Sequence, residues 1–422
     1  MTPCLSATAF GFAIGLCFAP LGLTAADWPQ WRGLHRDGIS AETGLLGDWP
    51  KEGPRLVWQV KDIGTGYSTP AVVGDRLYLL SNQGLDDEFV QALDAKDGKK
   101  VWSQRIGKVG NPKQQPNYPA ARSTPTVDGD WLFAFGSDGD LACLDRATGH
   151  IRWQKNVRRE YDGQPGVWAY AESPLVDGDA VVCTPGGSNA TMIAVNKQTG
   201  ELIWKCVVPD GEQAAYTSAL VDETGGVRQY VQMLQKGLVG VEAKSGKLLW
   251  RYDRTAKGCP AVIPTPVAGG DFIYSAGARV GGGGVRLKAE GGRFEAEQAY
   301  FSPKLPTSVG GALKVDQYLY GTSAGALLCL EFTTGNTRWD ERSIAPASLC
   351  YADKRLYLHG EDGEVALVEA TPEAYREKGR FKPVDPPDRG ASKAWAYPVI
   401  ANGRLYIRDM GTLWCYNIKA GG

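Results

Sequence analysis

The sequence predicts an all-β protein: an eight-bladed β-propeller of four-stranded antiparallel blades, its ring closed by an N-terminal strand. Three observations predict it. An acidic or amide residue, a Gly four positions on and a Trp eight positions on recur along the chain, as Asp145, Gly149 and Trp153 do in CLDRATGHIRW. Between these triplets, short apolar runs are separated by Gly-containing turns, with no helical period. Successive Trp residues are one four-stranded blade apart, a unit of about 40–50 residues.

The elements follow in chain order. Residues 1–26 read as a signal peptide: LSATAFGFAIGLCFAPLGL is apolar and uncharged, and LTAAD puts Thr24 and Ala26 at the small-residue positions of a cleavage site. A membrane anchor is the competing reading, but Gly and Pro break the run and it barely reaches spanning length. Residues 27–422 are then the propeller, exported to the periplasm or beyond and peripheral to the membrane at most. RLVWQV around Trp58 is a fourth strand with no blade before it.

Full units end at Asp94/Gly98/Trp102, Asp145/Gly149/Trp153, Asn196/Gly200/Trp204 and Glu242/Gly246/Trp250, so that the Trp steps from Trp58 are 44, 51, 51 and 46. Glu331/Gly335/Trp339 ends 89 residues after Trp250, which leaves room for two units. The one between is LKAEGGRFEA, where Lys288, Gly292 and Ala296 hold the expected offsets and the Trp is lost. A seventh, LVEATPEAYREKGRF, carries Phe381 in the Trp place after an insertion, and LWCYNIKAGG stops before a fourth strand. The spare strand at Trp58 completes it and removes the exposed edges.

The triplet has a local mechanism. The acidic or amide side chain accepts N–H groups of the turn, the Gly takes a positive φ, and the Trp buries a flat surface where one blade meets the next. Trp58, Trp102, Trp153, Trp204, Trp250 and Trp339 are therefore expected to dock blades. Cys143, Cys329 and Cys415 occupy equivalent places in apolar strands of different units, which makes them core thiols.

The repeated LDxxTGxxxW pattern, with DWPQWRGLHRDGIS behind the apolar leader, resembles the pyrroloquinoline-quinone-like (PQQ-like) propeller family. That family includes quinone-dependent alcohol dehydrogenases and the outer-membrane protein assembly lipoprotein. The resemblance covers residues 27–419 and implies the fold, while function lies in whatever site the fold carries. For the dehydrogenases it implies a quinone and a calcium ion over the channel mouth, with Glu, Asn and Asp ligands, a Trp floor and a disulfide between adjacent cysteines. This chain has no adjacent Cys pair, and no such ligand set falls on matching motifs.

Other chemistry is scarce. His35, His150 and His359 lack metal-ligand spacing, and GARVGGGGVRL reads as a flexible interstrand loop. No catalytic residue, metal or cofactor is expected. With 46 basic and 47 acidic side chains and a formal net charge of -1, nucleic acid is not an expected partner. Candidate binding residues are those just ahead of the first strands: Tyr67, Arg122, Tyr170, Glu172, Tyr216, Trp395 and Tyr397. They either fill the funnel or form a recognition surface, flanked by the long connections GKVGNPKQQPNYPAAR and NVRREYDGQPGVWAY. The expected function is an exported, non-catalytic propeller that binds an envelope protein or a small ligand, a glycan among them, across one face. The alternative is a PQQ- and calcium-dependent oxidoreductase of alcohols or sugars.

Overall fold

Eight four-stranded antiparallel sheets make up the computed structural model, which describes Met1 and residues 27–421 apart from 115–117, 119–120, 210 and 345. The segment read as a signal peptide lies outside the described residues. Blades 1 to 7 are meanders over 71–108, 126–156, 175–206, 220–252, 267–302, 312–342 and 347–381. First strands of several neighbouring blades touch one another, so these strands line the axis. Blade 8 joins Val399–Ala401, Arg404–Asp409 and Thr412–Asn417 to the N-terminal strand Arg55–Val60, with Trp58 opposite Cys415. Buried Arg408 ties blade 8 to blade 1, donating to the carbonyls of Ser68 at 2.8 Å and Leu80 at 2.7 Å.

The recurring triplet is a junction between blades. Trp58, Trp102, Trp153 and Trp204 donate their indole N–H to the carbonyls of Ala95, Arg146, Lys197 and Ala243, at 2.9–3.2 Å. Each acceptor directly follows the acidic or amide residue of the next unit. Each ring lies on the next unit's Gly: a Cβ on Gly149, whose φ is +75°, would come within 2.6 Å of Trp102. Trp339 donates to the Thr371 carbonyl at 2.8 Å. Trp250 instead uses Gln229 of its own blade, at 2.7 Å.

Blade 5 corrects two expectations. GARVGGGGVRL is not a loop, because Gly281–Glu290 is a ten-residue strand paired with Arg293–Ser302. Its glycines admit aromatic neighbours: a Cβ on Gly284 would lie 2.4 Å from the Phe272 ring, which stacks on Tyr300. Nor does Ala296 hold the Trp place. The longer hairpin carries that place to Tyr300, which is opposite Gly284, donates to the Phe332 carbonyl at 2.8 Å and lies under Gly335.

In blade 7 Phe381 is likewise not the substitute. The register puts Gly379 in the Trp place, and Trp49 of the N-terminal segment fills the space, its backbone N–H on the Lys378 carbonyl at 2.8 Å. Phe381 supports Trp49 edge-on, with centroids 5.4 Å apart.

The N-terminal segment also runs along the axis. Trp28 exchanges backbone hydrogen bonds with Val72, Pro29 accepts from Val127 and Gly38 accepts from Tyr351. Arg36 reaches Ser173 and Pro174, and Arg32 reaches Ala312. Residues 28–38 thus tie together blades 1, 2, 3, 6 and 7. The seven cysteines among the described residues are buried free thiols.

Candidate functional site

Every blade must return its chain from the outer strand to the next inner strand, and these returns converge at one end of the axis. Their backbones are laced together. Ser and Thr hydroxyls accept N–H groups of the preceding blade, Thr124 to Ser173 at 2.9 Å, Ser173 to Ser218 at 2.9 Å and Tyr397 to Thr69 at 3.1 Å.

The funnel above them has a cavity volume of about 230 Å³. Its wall takes Tyr67 from blade 1, Tyr118 and Arg122 from the lead into blade 2, Trp168 and Ala171 into blade 3, and Tyr216 and Ser218 into blade 4. Ala261, Ile263 and Val309 form an aliphatic side, and Trp395 and Tyr397 complete the circuit. Trp31 of the axial segment lies against Tyr397, edge-on at 4.6 Å. The aromatics form one continuous arc: Tyr67–Trp395 at 4.9 Å, Trp395–Tyr118 at 5.0 Å, Tyr118–Trp168 at 6.3 Å and Trp168–Tyr216 at 6.1 Å.

Among the described residues, Arg122 is the one charged residue of the lining. It donates to the Trp168 carbonyl at 2.6 Å and to the Tyr118 carbonyl at 3.3 Å, so it holds both long connections. Burial lowers its pKa, and nearby Tyr67, Tyr216 and Glu88 oppose that shift; a guanidinium keeps its charge there. Burial pushes the Tyr67 and Tyr397 phenols up to about 12, so both are neutral. Trp395 donates to Glu361 at 3.1 Å, and fully buried His359 bonds the Ala396 carbonyl at 2.9 Å. Burial lowers the His359 pKa, and its place is structural.

Five of the seven candidate residues meet in the funnel; Tyr170 and Glu172 do not. Tyr170 packs on Phe135 and donates to the Pro185 carbonyl at 2.8 Å. Glu172 is buried between blades and accepts from the Thr184 N–H at 2.7 Å and Gln232 at 3.0 Å. The correction is one of register. Tyr67, Arg122 and Trp395 each stand three residues before a Pro, and that count gives Ala171 in blade 3. Tyr118 and Trp168 belong to the two long connections, whose Tyr and Trp were the available signal. Trp31 had none.

Among the described residues the lining offers aromatic faces, one cation and the hydroxyls of Ser218 and four tyrosines, but no carboxylate, imidazole or thiol. No group of three or more His, Cys, Asp or Glu residues able to hold a metal exists among the described residues. A calcium–quinone centre, which needs hard oxygen ligands, does not fit this donor set. What the arrangement can do is stack apolar or planar groups and pair an anionic one.

Comparisons with known proteins agree with the propeller fold. A family model described as outer membrane protein assembly factor BamB matches residues 39–183 and 86–341. The protein of that name from Burkholderia pseudomallei is 26% identical over 274 residues, 56% of this chain and 69% of its own length. A quinoprotein alcohol dehydrogenase, PedH of Pseudomonas putida, is 24% identical over 285 residues, but the match spans only 42% of that enzyme. Among solved structures, BamB from Moraxella catarrhalis has a TM-score of 0.60 at 14% identity, covering 87% of this chain and 98% of that one. The quinohemoprotein alcohol dehydrogenase of Comamonas testosteroni reaches 0.66 at 12% identity, covering 94% and 81%. At these identities the structural likeness is one of fold.

Proposed function

This chain belongs to the PQQ-like propeller family described as outer membrane protein assembly factor BamB, and we propose on that premise that it is a non-catalytic binding propeller of the cell envelope. The observation that carries the reading is the aromatic arc with Arg122 at its centre, built from the leads of blades 8, 1, 2, 3 and 4. Rigid aromatics beside one guanidinium on a fixed ring are the composition of a protein-recognition hot spot. The chain works without a bound quinone, since its lining supplies neither calcium ligands nor a general base. Export is supported by the apolar leader, and an envelope location by the relatives named as outer-membrane assembly factors.

A photo-crosslinking residue at position 118 or 168, in the producing cell, should capture a discrete envelope protein. The same residue at position 202, on an exposed outer strand of blade 3, should not. Equal capture from both positions would remove the funnel from the reading. Dye-linked turnover of alcohols or sugars after adding the quinone and calcium would replace it with the oxidoreductase.

A further inference from the structure

The two long connections that wall the funnel meet at a residue outside it. Ser137 lies in the turn between Trp131–Phe135 and Asp140–Asp145 of blade 2 and is buried. Its hydroxyl accepts the Gly110 N–H at 3.0 Å, at the start of the connection that carries Tyr118. Its carbonyl accepts the Tyr170 N–H at 3.1 Å, at the end of the connection that carries Trp168. The fit is close. A Cβ on Gly110 would lie 2.3 Å from the Ser137 carbonyl oxygen and 2.9 Å from the Ala169 Cβ. Ala169, between Trp168 and Tyr170, has a φ of +74°, a strained conformation that persists only where neighbours impose it.

Ser137 is itself held from blade 1. Its N–H and its hydroxyl both donate to one carboxylate oxygen of Glu88, at 2.9 Å and 2.5 Å. Glu88 belongs to the strand Asp87–Asp94 and is fully buried, and its other oxygen has no hydrogen-bond partner. Desolvating a carboxylate for two bonds to a single serine is costly. What those bonds supply is orientation. Two donors directed at one oxygen fix the Ser137 side chain, leaving its hydroxyl lone pair toward Gly110 and its carbonyl toward Tyr170.

We propose that Glu88 is a positioning residue for the binding wall: through Ser137 its carboxylate holds the two connections that present Tyr118 and Trp168. The effect on binding rests on the function proposed above, whereas the hold on the connections does not. The variants separate the links of this chain. Glu88→Ala frees Ser137 and with it both connections. Ser137→Ala removes only the acceptor of Gly110, since the backbone carbonyl that takes Tyr170 remains. Glu88→Gln keeps an acceptor oxygen for both Ser137 donors.

Backbone hydrogen exchange over residues 108–114 and 157–171 tests the hold without a partner. Glu88→Ala should exchange at least tenfold faster than the parent in both segments, Ser137→Ala in 108–114 alone, and Glu88→Gln within threefold of the parent in both. Parental exchange in Glu88→Ala, or Glu88→Gln behaving like Glu88→Ala, overturns the proposal, as does equal loosening of both segments in Ser137→Ala. Capture by a photo-crosslinking residue at position 118 then reads the consequence. It should fall at least fivefold in Glu88→Ala and be restored in Glu88→Gln. Undiminished capture in a loosened Glu88→Ala overturns the positioning role. Absence of capture in the parent sinks the function proposed above and leaves the exchange result to decide the hold.

Discussion

Arg122 and Glu172 were both expected at the mouth, and one residue of register gives them different duties. Arg122 faces the funnel and donates to the carbonyls of Trp168 and Tyr118, so it both charges the mouth and fixes the long connections into blades 2 and 3. Arg122→Ala should weaken capture of the partner at least tenfold, and should lower stability by about 1–2 kcal/mol for the lost hydrogen bonds. Affinity and denaturant midpoint measured on the same variant check both parts. Glu172→Gln should leave affinity unchanged, since its hydrogen bonds run to Thr184 and Gln232 inside the wall. Its effect should appear in pH dependence instead. Burial raises the Glu172 carboxyl from 4.5 to about 8, and Glu88 to about 7. The native state therefore holds protons that the unfolded chain has released, so stability falls as pH rises from the ordinary carboxylate range through about 8. Urea midpoints at pH 5, 6.5 and 8 should decline less steeply in Glu172→Gln than in the parent; parallel curves would show the carboxyl ionised throughout.

At the scale of the element, each blade borrows part of its core from a neighbour. Trp102 and Trp153 find both their hydrogen-bond acceptor and their Gly platform in the following unit, so no blade buries its apolar surface alone. Where the local motif fails, another aromatic takes over. Tyr300 serves blade 5 from a longer hairpin, and Trp49 serves blade 7 from outside the blade altogether. Trp49→Ala should thus behave as a core truncation, costing about 3–5 kcal/mol, although the residue precedes every blade in the chain. Phe381→Leu, which keeps an apolar side chain beside Trp49, should cost less than half as much. Thermal melts of the two variants check the ranking, and equal losses would return the substitute's role to Phe381.

For the whole molecule, the N-terminal segment joins parts of the ring that the chain order separates. Trp28 meets blade 1, Arg36 blade 3, Arg32 blade 6, Gly38 blade 7, and Arg55–Val60 completes blade 8. Deleting residues 27–60 would bare the edge of Thr412–Asn417 and empty the axis, and should give aggregation or a broadened, non-cooperative melt. Size-exclusion chromatography and calorimetry decide it. A monomer that melts like the parent would mean the ring is held by its blade junctions and Arg408 alone.

What the sequence determined by itself is the repeat: eight units, four strands each, and the Asp/Asn/Glu–Gly–Trp turns. Each triplet is written within nine residues, and alternation with turn chemistry is a local code. The position of the mouth was legible for the same reason, because Tyr67, Arg122, Tyr216 and Trp395 keep a fixed offset from a strand start. Only the tertiary structure decided the floor. Trp31 beneath the funnel, Trp49 in blade 7 and Arg32 beside Gly311 rest on pairings across hundreds of residues, such as Arg32 with Ala312. No periodicity marks such contacts, since a side chain that meets a distant segment needs only the right shape and charge where the two chains cross. Tyr170 and Glu172 show the converse, where a shift of one residue between repeats moved two plausible site residues into the packed wall.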